Sequence, residues 1–157
     1  MSTRLTKTSA IAGYDLVDSH ALAFTQATES FRERIIVWLL SKLWKDGFEG
    51  LKANQLVFLG SLDCGVNFAS ELARTLGISR QAVHKTVREL EDADWLATRP
   101  DAARGNQRVI VFTKEGERMM SHARAHFLTL DTLLMQKFGK ERLAELLDLL
   151  SLDPNAD

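Results

Sequence analysis

The chain has 157 residues, 45% hydrophobic and 26% charged, enough apolar material for one core and an appended association region. Its 20 Lys and Arg against 21 Asp and Glu leave a net charge of −1, and no apolar stretch approaches the ~20 residues of a bilayer span, so membrane insertion is excluded. The only cysteine, Cys64, excludes an intrachain disulfide and a cysteine-rich zinc site, and Met1 to Ser9 lacks the apolar stretch of a secretory signal, so a cytoplasmic location is expected.

Proline occurs only at Pro100 and Pro154, so long helices meet few forced breaks. From Tyr14 to Trp44 small and apolar residues recur every three or four positions, at Leu16, His20, Ala23, Ala27, Phe31, Ile35 and Trp38, which predicts one long helix. Gly47 and Gly50 end it, and a short apolar helix follows over Ala53 to Ser61. Asn67 is positioned to cap a third helix carrying Glu71, Leu72, Ala73 and Leu76, with Gly77 as its left-handed stop. Ser79 is placed to cap a fourth helix from Arg80 to about Ala93.

Trp95 to Arg99 and Gln107 to Phe112 are rich in β-branched and aromatic residues and flank a polar tip, Pro100 to Asn106, which predicts a β-hairpin. Thr113 is the expected cap of a second long helix reaching Phe138. After Gly139 a last amphipathic helix carries Leu143, Leu146, Leu147 and Leu150. The expected fold is therefore mainly α with a small β-hairpin wing, flanked by long terminal helices. It divides into an N-terminal dimerisation helix over 14–46, a winged helix-turn-helix over 51–113 and C-terminal dimerisation helices over 114–152.

A helix-turn-helix needs a small residue where two helices cross, a glycine in the turn and a branched apolar residue seating the second helix. Ala73, Gly77 and Val83 meet this requirement in order. With Val83, Val87 and Leu90 as the buried stripe, Arg80, Gln81, His84, Lys85 and Arg88 turn outward together. Charge is polarised in the same sense. Arg74 to Arg108 holds seven basic residues against five acidic ones, whereas Glu141 to Asp157 holds Arg142 against five acids. A basic helix face followed directly by a hairpin carrying Arg104 at its tip and Arg108 on its return strand points to contact with double-stranded DNA.

The run Gln55, Glu71-Leu72-Ala73, Leu76 to Val83, Leu90-Glu91, Trp95-Leu96, Asp101, Arg104 and Val109 to Gly116 resembles the MarR family of bacterial regulators. Family members carry an Asp and an Arg shortly before an apolar strand ending in Leu-Thr; here Asp101 and Arg104 are three apart, and Phe112 stands for the Leu. The resemblance implies a homodimer interlocked by its first, fifth and sixth helices, with two recognition helices entering successive major grooves of pseudo-palindromic operator DNA. It implies DNA contacts from Ser79, Arg80, Gln81, His84, Lys85, Arg88, Asp101, Arg104 and Arg108, a repressor's role, and release by a small aromatic or anionic effector. The residues themselves agree on the dimer, because terminal stripes this long exceed what one small winged domain can cover.

Other features are weighed against plainer uses. His122 and His126, four apart on the fifth helix, would need a third ligand from elsewhere to bind a metal, and helical histidines more often serve surfaces or interfaces, so no metal is assigned. Cys64 has no neighbouring cation to activate it, and peroxide-sensing relatives place their cysteine in the first helix, so it reads as inert. Phe31, Trp38, Trp44, Phe48, Phe58 and Phe127 suit core and interface packing better than an effector pocket. Neither a nucleophile and base pairing, a phosphate-binding glycine loop nor paired carboxylates are present, which predicts no enzymatic activity and no cofactor. Two alternatives stand: a winged helix that binds protein, opposed by Arg80, Lys85 and Arg88, and the dimerisation part of a methyltransferase, which requires a downstream nucleotide-binding domain.

Overall fold

The computed structural model describes residues 19–62, 67–101 and 107–153. In chain order the elements are α1 (His20–Lys45), α2 (Ala53–Gly60), β1 (Asn67–Phe68), α3 (Ala69–Leu76), α4 (Arg80–Asp92), β2 (Leu96–Pro100), β3 (Arg108–Phe112), α5 (Lys114–Phe138) and α6 (Lys140–Leu150). The sequence places the start of the first helix at Tyr14. Residues 14–18 lie outside those described, and Ser19 caps α1 by accepting from the Leu22 amide at 3.3 Å.

At 1.5 Å per residue, the 26 residues of α1 span about 39 Å. Only its last turns are buried, at Leu39, Leu40 and Leu43, where they meet Phe48, Leu51, Leu59, Val83, Leu90, Leu96 and Met119 in the core. Trp44 ties the end of the helix to the following segment by donating its indole N–H to the Leu51 carbonyl at 3.0 Å. The core among the described residues thus joins the winged unit to the end of α1 and the first half of α5, and most of the two long helices projects beyond it.

Gln55 locks α2 in place. Although it is 4% exposed, both ends of its amide are satisfied: Oε1 accepts from the Lys52 amide at 3.1 Å, and Nε2 donates to Glu89 of α4 at 3.0 Å. A buried amide paired at one end only would cost about 1–3 kcal/mol.

The sequence expectation for Asn67 is corrected. Phe68, not Asn67, occupies the N-cap position of α3. Asn67 is the first residue of β1, opposite Ile110, and its side-chain amide points toward the Ile110 carbonyl at 3.5 Å. Capping preference is a local property, and here pairing with a strand 43 residues away overrides it. The hairpin consequently belongs to a three-stranded antiparallel sheet in the order β1-β3-β2, with Leu96 opposite Phe112 and Pro100 opposite Arg108.

The remaining punctuation follows the sequence. Gly77 adopts φ 64, ψ 28 at the end of α3, a conformation that a side chain disfavours. Ser79 caps α4 by accepting from the Ala82 amide at 3.1 Å. Thr113 caps α5, its hydroxyl accepting from the Gly116 amide at 3.0 Å and donating to the Asp94 carbonyl.

Candidate nucleic-acid interface

Helix α4 is amphipathic because its apolar residues fall at positions 83, 87 and 90, one face of a 3.6-residue repeat, and all three are buried. Burial of that face fixes the opposite one. Ser79, Arg80, Gln81, His84, Lys85 and Arg88 are all exposed. Gln81, His84, Lys85 and Arg88 share one shallow concavity with Glu89 and Asp92, so the donors lie toward the N-terminal turns and the carboxylates toward the end.

The wing is brought beside this face. A dent of about 200 Å³ is lined by His84, Val87, Arg88 and Glu91 of α4 together with Thr98 and Arg108 of the hairpin. Two hydrogen bonds hold the elements in this relation. Thr98 donates its hydroxyl to Glu91, and Arg108 donates from Nη2 to the Thr98 carbonyl at 3.1 Å. That contact uses one guanidinium N–H of five and leaves the exposed group free to take a phosphate as well. At the wing's base the Asp101 amide donates to the Gln107 carbonyl at 2.8 Å, closing the loop. Arg104, the expected wing-tip contact, lies outside the described residues, as does Cys64.

The six aromatic residues serve different places. Phe48 and Phe58 are core residues, at 1% and 3% exposure. Phe31 and Trp38 line a groove between α1 and α5, Trp44 is pinned to Leu51, and Phe127 stands on the surface. A separate groove of about 710 Å³ runs between α1, α2 and the helix-turn-helix, with Ile36, Val57, Phe58, Ile78 and Ala82 in its wall and Arg32 and Glu33 at its rim.

His122 and His126 do share one face, and sequence spacing could not reveal their partner. Asp46, the C-cap residue of α1, directs Oδ2 at both rings, 2.9 Å from Nδ1 of His122 and 2.7 Å from Nε2 of His126. The oxygen itself occupies the place between the two nitrogens that a cation would need. Among the described residues no group of three His, Cys, Asp or Glu is arranged to hold a metal ion. Nor is any described helix long and apolar enough to cross a membrane.

Comparison with known proteins agrees with this geometry. A family model described as the MarR family matches residues 50–105, a segment that begins just before α2, includes β2 and ends before β3. No curated protein matches the sequence. Among solved structures, the MarR family transcription regulator SP03579 superposes with a TM-score of 0.68 at 19% identity, covering 83% of this chain and 85% of its own. RV1404 from Mycobacterium tuberculosis gives 0.65 at 18% identity over 89% of this chain and 99% of its own. A mutant MarR from E. coli complexed with operator DNA gives 0.67 at 17% identity, over 87% and 96% respectively. Identities at this level speak for the fold, in which a helical frame surrounds a winged helix. The chain thus shares the fold of these winged-helix proteins, and its segment 50–105 is similar to the MarR family.

Proposed function

We propose that the protein is a transcription regulator, and not an enzyme, that binds pseudo-palindromic double-stranded DNA as a homodimer. The observation that carries this reading is the exposed donor face of α4, seated by Val83, Val87 and Leu90, with Arg108 of the wing beside it. Helix α4 enters the major groove. Gln81 and His84, near its N-terminal end, read base edges, while Ser79, Arg80, Lys85 and Arg88 contact the backbone and set register. The wing, with Asp101, Arg104 and Arg108, approaches the adjacent minor groove, whose negative potential attracts guanidinium groups. The solved complex of the E. coli protein with operator DNA supports the class of partner.

The winged unit over 51–113 reads DNA, and the flanking regions over 14–46 and 114–152 join two copies. Helix α6 buries none of its residues, leaving Leu147, Leu149 and Leu150 exposed at 59%, 53% and 46%, as expected of a surface that a second chain covers. The protein acts in the cytoplasm as a repressor, and a small aromatic or anionic effector entering the groove between α1, α2 and α4 releases it.

The decisive experiment is fluorescence anisotropy on DNA from between the protein's own gene and its neighbours, with scrambled DNA as control. Selective binding is expected; equal affinity for both would remove the reading. Gln81→Ala should then relax preference at particular base pairs by about 1–3 kcal/mol, seen by comparing single-base operator variants. A uniform loss across all sequences would reassign Gln81 to positioning.

For the wing, Arg104→Ala and Arg108→Ala are expected to leave folding intact and lower affinity, with the slope of log K against log salt shrinking by about one unit for each phosphate that is no longer neutralised. An unchanged slope in both variants would place the wing off the DNA.

A further inference from the structure

The cluster around Asp46 is used by none of the DNA contacts, yet it joins the two parts of the molecule. Asp46 closes α1 where that helix enters the winged core, and His122 and His126 stand on α5, the helix that leaves the core toward the far end of the chain. Each ring is also braced by an aromatic edge. Phe48 lies 5.4 Å from His122 and Trp38 6.2 Å from His126, both near perpendicular. The three polar side chains keep 25%, 41% and 23% exposure for Asp46, His122 and His126, so protons reach them from solvent while the contact remains partly shielded.

We propose that Asp46, His122 and His126 form a proton-sensitive latch that fastens the end of α1 to α5 and tightens as pH falls through the range in which histidine titrates. With neutral rings, one carboxylate oxygen accepts two ordinary N–H bonds, from Nδ1 of His122 and Nε2 of His126. Protonating a ring leaves both donors in place and adds a positive charge 2.7 to 2.9 Å from a carboxylate, turning a neutral bond into a charge-assisted one.

The carboxylate stays available throughout. Hydrogen bonds from His126 and then His122 hold the Asp46 carboxyl below its ordinary range, so it remains ionised until the pH is well into the acid region. For such a depressed carboxyl, the stabilisation is present above the unfolded value and lost as pH falls through the folded one.

The surrounding charges do not cancel the effect. On α5 itself Glu115 acts on His122, and Arg118 is paired to Glu115 and stacked over Phe48 at 4.3 Å. Arg118 also acts on Asp46, as a fixed cation that does not titrate in this range. The last turn of α1 adds Lys42 and Lys45. On β3 the terminal Arg108 donates to the Thr98 carbonyl, and α6 begins at Lys140, about 20 Å along α5 from His126. No other histidine stands in the cluster: His84 lies on the recognition face, and His20 opens α1.

The test is the melting temperature of the full chain between pH 8 and 5.5, for wild type, Asp46→Asn and the double variant His122→Gln/His126→Gln. Wild type should gain about 2–4 °C over each variant on acidification, with the curves closest at the alkaline end.

Parallel curves for wild type and both variants would overturn the latch, and so would a wild type that loses ground on acidification. A zinc arm separates the other chemistry. If wild type instead gains stability toward alkaline pH with added zinc ion and loses it with chelator, the cluster is a cation site and the latch is wrong. The melting curves do not depend on DNA, so failure here and failure of the DNA-binding reading are distinct.

Discussion

Gly116→Ala should destabilise the protein by about 3 kcal/mol, more than any exposed substitution in the same helical turn. A methyl group at this position would lie 2.0 Å from the Trp95 carbonyl oxygen and 3.1 Å from the Phe112 ring. Neither neighbour can yield cheaply. The carbonyl is backbone and already accepts the Thr113 amide at 3.2 Å, while Trp95 is 7% exposed. The first turn of α5 thus packs directly on the strand entry of the wing, and only a residue without a side chain permits that approach. Urea unfolding of Gly116→Ala beside Glu117→Ala checks the point, since Glu117 is exposed and should change stability by no more than about 0.5 kcal/mol. Equal midpoints for the two variants would mean the backbone relaxes freely there.

Removal of residues 141–157 should convert a dimer into a monomer and lower affinity for a two-half-site operator by at least about 100-fold, the loss expected when two linked contacts become separate events. The reason lies in the uncovered apolar surface. Leu146, Leu147, Leu149, Leu150 and Leu152 of the C-terminal segment are 38% to 70% exposed, and Phe24, Phe31 and Val37 of α1 are equally bare. The described residues of a single chain leave these stripes uncovered, whereas a second copy presents matching stripes. Light scattering and anisotropy on the same samples check both halves. A monomeric full-length protein at micromolar concentration would remove the basis of the prediction, and a truncated chain that still dimerises would move the interface to α1 and α5.

Most of the architecture was legible because its signals are local. Ser79 and Thr113 cap the helices they were expected to cap, Gly77 takes the left-handed turn, and Val83, Val87 and Leu90 form the buried stripe read from their spacing. The exposed face of α4 follows from that stripe by geometry alone. Contacts between distant segments were not legible. Asn67 carries a capping residue's chemistry, and only β3 supplies the pairing that draws it into a strand. Asp46 precedes His122 by 76 residues, and no periodicity links the end of one helix to the middle of another. The wing tip was read from its turn residues and its resemblance, and Arg104 stays an inference from those two.

The order β1-β3-β2 carries a further consequence, for how such a protein behaves in a crowded cell. A hairpin that projects toward a partner offers strand edges on which a second hairpin could build, the usual beginning of aggregation. Here the strand in the middle, β3, is covered on both sides, by β2 along its length and by β1 at Val109 and Ile110. The covering piece β1 is two residues long, too short to template another strand. The remaining outer edge, β2, ends in Arg99 and Pro100, a charge that resists apolar stacking and a residue with no amide hydrogen to donate. The described strands can therefore lie at the surface of the protein without inviting their own kind.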